Sequence, residues 1–402
     1  MRTVDLDDVL AARKLLEGVI RVTPLEHSRV LAAAAGGPVH LKCENLQRTG
    51  SFKIRGAYTR IARLSGPEMA AGVVAASAGN HAQGVALAAQ LLGIRSTVFM
   101  PVSAALPKIV ATRNYGAEVR LAGESVDEAL VFAREFEAAT GAVLVHPFDH
   151  HDVVAGQGTT GLEILEQCPE VRTVLVCTGG GGLVAGIGVA IKALRPDVRV
   201  VAVQAEQAAA YPGSLAAGHP VPLERMATMA DGIAVGRPGE LPFALVRDVV
   251  DEVTTVSEAA ISRALLFCLE RAKLVVEPAG AAGIAALLTD PGRWEPPVVA
   301  VLSGGNIDPV LLARVIQHGL LAAGRYLSVR VRITDRPGEL AELLGLVAGL
   351  GANVLDVEHS RTTSHLDLGE VEVALTVETR GADHRIELLA ALTGAGHAVS
   401  LA

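Results

Sequence analysis

From about residue 38 onward, short β-branched apolar runs alternate with segments whose apolar positions recur at helical spacing. Such alternation is typical of βαβ units, which build a largely parallel sheet with helices on both faces. It predicts strands at 39–43, 73–76, 97–100, 117–121, 143–145, 173–177, 198–203 and 298–302. It predicts helices at about 52–64, 80–92, 105–114, 124–139, 156–167, 183–194, 258–273 and 308–319. We therefore predict an α/β fold.

The pattern changes near residues 320–327. Two βαβ halves follow, which predict a small ferredoxin-like sandwich. The predicted elements are a strand at 328–334, a helix at 338–349, strands at 353–361 and 368–379, a helix at 383–394 and a strand at 397–401. Residues 1–320 and 327–402 are thus predicted to be separate domains.

Residues 174–191 carry no charge over eighteen positions, which is near the length of a membrane span. Six of these residues are glycines, and four of the glycines are consecutive. We therefore predict a strand, a glycine turn and a small-residue helix.

Charge and cysteine content narrow the possible partners. The 402-residue chain has a net charge of −8 and no long basic run, which argues against binding to nucleic acid or anionic membranes. The four cysteines are widely spaced, which predicts reduced thiols rather than a zinc site or disulfides. The first eight residues lack the basic and apolar blocks of a signal peptide. We expect a cytoplasmic protein, and we assign no metal site.

Two motifs suggest a site for a carbonyl compound that carries a phosphate. Residues 50–57, GSFKIRGA, place Lys53 at a predicted helix start, where a desolvated amine can form a Schiff base. Residues 178–183, TGGGGL, follow a strand and open a helix, so their backbone amides can converge on an anion. The alternatives are a helix-surface lysine and a glycine turn that serves only close packing.

Three further motifs follow predicted strands or begin predicted helices. Residues 77–84, SAGNHAQG, expose backbone amides that suit a carboxylate, and Asn80 adds a side-chain donor; the alternative is an Asn N-cap. Within this loop, His81 is expected to be structural or to lie at a solvent-facing rim. Residues 302–306, LSGGN, place Ser303 where it could bond a ring nitrogen or form a turn. Glu277 either faces the site or complements a helix start.

Pyridoxal phosphate needs the groups that these motifs place at several strand ends: a lysine, an anion cradle, an amide donor and a hydroxyl. Through these motifs, which occur along the chain in the expected order, residues 5–320 resemble the fold-type II pyridoxal-phosphate enzymes, and specifically the threonine ammonia-lyases (threonine dehydratases). The resemblance implies a catalytic domain of two open, mostly parallel sheets. It also implies that a small subdomain at about 72–147 moves to close over the substrate.

The resemblance also implies roles for individual residues. Lys53 would hold the cofactor as a Schiff base, Phe52 would pack on it, Asn80 would bond its ring hydroxyl and Ser303 would face its ring nitrogen. The implied cofactor-binding residues are Phe52, Lys53, Asn80, Gly179, Gly180, Gly181, Gly182, Leu183 and Ser303. The implied substrate-binding residues are Ser77, Ala78, Gly79, Asn80 and His81.

The implied reaction is β-elimination of L-threonine to 2-oxobutanoate and ammonia, with L-serine as a second substrate. Lys53 would take the Cα proton. Serine racemases of this family carry a serine where this chain has Ala78, so a racemase is the less favoured alternative. An L-serine dehydratase on the same fold is another. A non-catalytic amino-acid sensor is the alternative from a different class, and the intact lysine and glycine motifs argue against it.

Residues 331–340, VRITDRPGEL, resemble the first strand, loop and helix of ACT domains. Those domains bind small amino acids at dimer interfaces, which implies isoleucine or valine as an effector and a homodimer or homotetramer. The alternative is a packing module without a ligand. A place in isoleucine biosynthesis is implied as well, although a degradative role stays open.

Overall fold

The structure is a computed structural model that describes residues 3–322, 324–361 and 366–401. Of the predicted domains, residues 1–2, 362–365 and 402 lie outside this description. Backbone contacts divide the chain into two compact units, the first ending at Leu312 and the second beginning at Ala313.

The first unit contains two sheets. Its strands are β1 (Leu25–His27), β2 (Val39–Lys42), β3 (Val73–Ala76), β4 (Ser96–Met100), β5 (Glu118–Leu121), β6 (Val143–Leu144), β7 (Thr173–Cys177), β8 (Arg199–Ala205), β9 (Glu252–Val256) and β10 (Val298–Val301). The larger sheet has the order β1-β2-β10-β7-β8-β9, in which only β1 is antiparallel to its neighbour. The smaller sheet, β5-β4-β3-β6, is entirely parallel. The predicted fold class is confirmed.

Helices precede, connect and follow these strands. They are α1 (Leu6–Leu16), α2 (Arg29–Ala35), α3 (Lys53–Ala62), α4 (Gly66–Ala71), α5 (Asn80–Leu92), α6 (Leu106–Asn114), α7 (Val126–Thr140), α8 (His151–Gln167), α9 (Gly182–Leu194), α10 (Ala210–Ala217), α11 (Glu240–Val249), α12 (Glu258–Phe267), α13 (Ala282–Thr289) and α14 (Pro309–Ala322). A π-helical turn at Cys268–Ala272 extends α12 over most of the predicted range 258–273.

The sequence pattern misses the two edge strands of the larger sheet and places the start of α8 too late. Strand β1 has three residues and β9 is partly exposed, so neither forms a continuous apolar run. Helix α8 begins five residues before the predicted start at 156. It contains several glycines, which weaken the helical signal.

Those glycines allow helices to approach closely. A Cβ at Gly156 would lie 2.6 Å from the Arg55 carbonyl oxygen on α3, and one at Gly158 would lie 2.8 Å from the Gly186 carbonyl oxygen on α9. Because α8 touches both helices at backbone distance, it fixes the position of α3, whose first residue is Lys53.

The uncharged segment 174–191 divides as predicted into the end of β7, a glycine turn and α9. Within the described parts of the chain, no helix combines the length and apolar character that a membrane crossing requires.

The second unit is a sheet with two helices. Its elements are β11 (Tyr326–Thr334), α15 (Glu339–Gly349), β12 (Asn353–Ser360), β13 (Glu370–Glu378), α16 (Ala382–Gly394) and β14 (Ala398–Leu401). The order β12-β13-β11-β14 is antiparallel throughout, which is the predicted ferredoxin-like arrangement. Its core consists of alternate inward-facing strand residues, such as Val329, Val331 and Val373, packed with Leu343 and Leu388 from the helices.

Candidate active site

All the residues predicted to bind cofactor or substrate line one cavity of about 800 Å³. The loop at 77–81 follows β3 of the smaller sheet, whereas the glycine turn and Ser303 follow β7 and β10 of the larger one. The cavity therefore lies where the carboxyl ends of strands from both sheets meet, which is the usual ligand position in α/β folds.

Lys53 is the first residue of α3, and its side chain is held by few polar contacts. Its Nζ donates a hydrogen bond of 2.9 Å to the Pro147 carbonyl oxygen and lies 5.1 Å from the centre of the Phe52 ring. Burial lowers the pKa of Lys53 to about 8, an effect that the negative charge of Glu277 opposes. A substantial fraction of the amine is therefore neutral near physiological pH and able to act as a nucleophile or base.

The turn before Lys53 runs alongside the segment that contains Ser303. The Phe52 amide donates to the Ser303 carbonyl oxygen at 3.1 Å, Ser51 forms a β-bridge with Gly304, and the Gly305 amide donates to the Gly50 carbonyl oxygen at 2.8 Å. Ser303 is buried, and a hydrogen bond from it to Cys177 partly offsets the burial that raises the pKa of that thiol to about 11. Ser303 and Lys53 are thus held in a fixed relation by backbone pairing.

Asn80 does not cap its helix, so the alternative role considered for it is wrong. The N-cap of α5 is Gly79, whose amide donates to the Ser77 hydroxyl at 3.1 Å. The Asn80 Nδ2 instead donates to Glu277 Oε1 at 2.6 Å, across the cavity wall.

Glu277 faces the site rather than serving only as a charge at a helix start. It is 4% exposed, and burial together with the charge of Asp231 raises its pKa to about 7. The carboxyl group is therefore a titratable group of the cavity near neutral pH.

The glycine turn has no room for side chains. A Cβ at Gly180 would lie 2.5 Å from the Phe148 ring, and one at Gly181, whose φ is +97°, would lie 1.8 Å from the Tyr211 hydroxyl. Close packing and an anion cradle are thus compatible, because the same crowding leaves backbone rather than side chains to line the cavity at the start of α9.

His81 is buried and does not occupy the solvent-facing rim. Its Nε2 lies 2.7 Å from the Val145 carbonyl oxygen, and burial lowers its pKa to about 3, so the ring is neutral and donates this hydrogen bond. It joins α5 to the segment after β6.

Two family models match parts of this chain. Residues 16–304 match the family described as "Pyridoxal-phosphate dependent enzyme", and residues 327–394 match the ACT domain. The chain belongs to the pyridoxal-phosphate-dependent enzyme family. Its cofactor is therefore pyridoxal phosphate.

Named relatives and solved structures of this family are similar over long stretches. The chain is 49% identical to an "L-threonine ammonia-lyase" of Thermotoga maritima over 99% of both chains. It is 43% identical to the "L-threonine dehydratase catabolic TdcB" of Escherichia coli K12, over 78% of this chain and 95% of that one.

Among solved structures, a threonine deaminase from "T.th." has a TM-score of 0.72 at 42% identity, covering 76% of this chain and 99% of that chain. The maize serine racemase has a TM-score of 0.75 at 36% identity, covering 80% of this chain and 99% of that chain.

The cavity of this pyridoxal-phosphate enzyme fits its cofactor. The volume of about 800 Å³ lies within the range of small-molecule sites. An amine with a lowered pKa, a side-chain amide, a hydroxyl and a glycine turn at a helix start all border it. These are the groups that an aldehyde, a ring hydroxyl, a ring nitrogen and a phosphate require.

Sequence reasoning missed an ion pair at the cavity wall. Lys108 on α6 and Asp231, on a short 3-10 turn after α10, are 2.7 Å apart between Nζ and Oδ2. Both residues also border an adjoining cavity of about 410 Å³. The only sequence signal was an Asp-Gly pair at 231–232, which is indistinguishable from an ordinary turn.

In the second unit, Gly338 precedes α15 with a φ of +102°, and a Cβ there would meet nothing within 4 Å. The predicted loop of the ACT domain is thus open at its helix start. Asp335 in this loop pairs with Arg361 at 3.1 Å.

Proposed function

We propose that this protein is an L-threonine ammonia-lyase, which converts L-threonine to 2-oxobutanoate and ammonia and also accepts L-serine. The observation that carries the proposal is the 49% identity over 99% of the chain to a relative named for that activity. The cavity supports it with a lysine of lowered pKa beside polar groups suited to the cofactor.

The cofactor would be held by the residues that the sequence predicted. Lys53 would carry it covalently, Phe52 would pack against it, Asn80 would bond its ring hydroxyl and Ser303 would face its ring nitrogen. The glycine turn from Gly179 to Leu183 would bind its phosphate through backbone amides. When bound, pyridoxal phosphate supplies an aldehyde that takes up the substrate amino group and a ring that withdraws electrons from the substrate Cα.

The substrate would be handled by Lys53 and the loop at 77–81. With the cofactor and substrate in place, the Lys53 amine would be the base that accepts the Cα proton. Burial, which lowers the pKa of this amine to about 8 in the apoenzyme, favours the neutral form that a base requires. The loop would bind the substrate carboxylate. Its Ala78 has no proton to give, so proton transfer at Cα would occur from the lysine side alone.

Steady-state kinetics on L-threonine and L-serine test this proposal. We expect 2-oxobutanoate and ammonia in equal amounts from L-threonine, with kcat/KM higher than for L-serine. Chiral analysis of the L-serine reaction covers the racemase alternative, which the similarity to maize serine racemase keeps relevant. Formation of D-serine faster than pyruvate, or a cofactor-loaded protein without turnover, would contradict the proposal.

We further propose that the ACT domain binds isoleucine or valine, that the protein forms a homodimer or homotetramer, and that it is cytoplasmic. The open loop at Gly338 supports a small ligand, and four buried, unpaired cysteines support a reducing compartment. Calorimetry of the full chain with each amino acid tests the first point. Light scattering of the same samples tests the second.

We also propose that the catalytic domain spans residues 1–320 and the ACT domain spans residues 327–402. Within the catalytic domain, the subdomain at about 72–147 would move to close over the substrate. The pair of Lys108 and Asp231 links α6, which packs in this subdomain, to a turn after α10, so a movement of the subdomain would break or remake that pair.

A further inference from the structure

Asn306, the last residue of the LSGGN motif, has no role in the function proposed above. Its side chain is nevertheless engaged in the wall of the cavity. Both bonds are made by Nδ2, which donates to the Thr49 carbonyl oxygen at 2.6 Å and to Asn80 Oδ1 at 2.8 Å. One amide group therefore uses its two N–H donors on two elements that meet at the site.

The Thr49 carbonyl fixes the direction of this hydrogen-bond chain. A backbone carbonyl can only accept, so the Asn306 amide must turn its nitrogen toward Thr49. The same nitrogen then meets the oxygen of Asn80. The Asn80 nitrogen is left facing Glu277, whose Oε1 accepts from it at 2.6 Å.

The backbone around Asn306 is built for this contact. A Cβ at Gly50, whose φ is +71°, would lie 2.4 Å from Asn306 Oδ1, so a side chain there would displace the amide. A Cβ at Gly304 would lie 2.4 Å from Glu277 Oε1 and 3.0 Å from Asn80 Nδ2. Glycines thus make room at both ends of the chain from Asn306 to Glu277.

We propose that Asn306 is a positioning residue of the cofactor site, which orients the Asn80 amide and ties it to the turn that precedes Lys53. The second N–H of Asn80 Nδ2 is then the donor available to the cavity, because the first is bound to Glu277. The inference rests on the cofactor-binding role proposed for Asn80. It implies that the last residue of the LSGGN motif acts through a side chain 226 positions away in sequence.

Isosteric replacement tests the direction of the chain. Asn306→Asp exchanges the donor for an acceptor, so an ionised carboxylate would face the carbonyl oxygens of Thr49 and Asn80. We expect pyridoxal phosphate to bind the apoenzyme about tenfold to a hundredfold more weakly than the wild type, measured by absorbance titration. The difference in cofactor affinity between Asn306→Asp and the wild type should become smaller at lower pH, because a protonated carboxyl group can donate again.

The matched control is Asn45→Asp. Asn45 is a buried asparagine that lies against Gly305, and its amide donates to the Val275 carbonyl oxygen at 3.0 Å rather than to Asn80. The substitution makes the same chemical change, from a donating amide to a carboxyl group, beside the same glycine segment. Equal weakening by the two substitutions would overturn the proposal, because it would indicate a general structural effect.

A double-mutant cycle keeps the test open if the aspartate variant fails to fold. Asn306→Ala should weaken cofactor binding about tenfold in the wild type and very little in an Asn80→Ala background. Full additivity would overturn the inference. The readout is cofactor affinity, so it is independent of turnover. A wild-type protein that binds cofactor but leaves L-threonine unchanged would sink the proposed function and not this one.

Discussion

Two lysines in the first unit, Lys42 fully buried and Lys53 half-buried, show how the cost of desolvating an amine serves structure in one place and chemistry in another. Lys42, at the end of β2, is 0% exposed, and its Nζ contacts Glu163 Oε2 at 2.5 Å, the Thr23 carbonyl oxygen at 2.9 Å and Gln167 Oε1 at 2.9 Å. Among the described residues, Lys53 has one hydrogen-bond partner, the Pro147 carbonyl oxygen. Burial lowers the pKa of both.

The two lysines differ in how completely neighbouring anions and hydrogen-bond acceptors replace the water that each ammonium group loses on burial. Lys42 belongs to a closed network in which Arg55 binds Glu44 through two bonds of 2.8 Å and Glu163 through one of 2.7 Å. Two cations and two anions neutralise each other there, so no group is left to react. The Lys53 amine, with a neutral partner, gains little from staying charged.

Helix α3 separates the two environments. Lys53 and Arg55 are two positions apart, which is about 200° around a helix, so their side chains leave on opposite sides. One side faces the cavity and the other faces the charge network. The network therefore anchors the helix from behind while the lysine in front stays available.

Removing Lys53 should give the largest effect on activity and a small one on stability. We expect Lys53→Ala to lower kcat on L-threonine by about a thousandfold or more and to abolish the absorbance band of the bound cofactor. The free energy of unfolding of the apoenzyme should change by less than about 1 kcal/mol, because one hydrogen bond of a desolvated amine is lost. Measurable turnover by this variant would contradict the role of Lys53.

Removing Lys42 should give the opposite result. Lys42→Met leaves Glu163 with one cation instead of two, and we expect the free energy of unfolding to fall by about 3 kcal/mol in urea titrations. The folded fraction should still capture the cofactor.

Lys192→Met is the control for this second prediction. Its partly exposed Nζ pairs with Asp251 at 2.8 Å, and the change should cost about 1 kcal/mol or less. A cost for Lys42→Met no greater than that of the control would mean that the network does not anchor the fold.

The hydrophobic pattern allowed prediction of most of the parallel strands, whereas their division into two sheets was implied only by the family resemblance. The residues expected at the cavity could be proposed because each motif follows a strand or begins a helix. Local patterns carry that information. They do not carry the pairing of Asn80 with Glu277, which are 197 positions apart, or of Lys108 with Asp231. Such contacts depend on how the two sheets meet.

The charge network was also invisible in the sequence, for a different reason. Its members are charged residue types that usually lie on surfaces, and the sequence around them shows no shared motif. They are Lys42, Glu44, Arg55 and Glu163. A charged residue near an apolar run is a weak signal of a buried partner. The partner itself can be identified only after α3 and α8 are packed together.

The smallest expected effect concerns Glu277, whose negative charge opposes the lowering of the Lys53 pKa. Glu277→Gln removes a negative charge that raises the pKa of Lys53, so that pKa should fall below about 8. Cofactor capture by the apoenzyme requires the neutral amine, so the rise of its rate with pH should move to lower pH by roughly half a unit to one unit. Stopped-flow absorbance across pH 6–9 would measure this, with Glu166→Gln, in an exposed pair with Arg13, as the control.

The charge state of Glu277 sets the pH range in which the cofactor-capture rates of the wild type and of Glu277→Gln should differ. The pKa of Glu277 is raised to about 7, so its carboxyl group is charged above that pH and mostly neutral below it. The two capture rates should therefore differ most between about pH 7 and pH 8 and converge as the pH falls. A shift to higher pH, or one equal to that of the control, would mean that Glu277 does not act on Lys53. The contrast between the two lysines would then rest on hydrogen-bond partners alone.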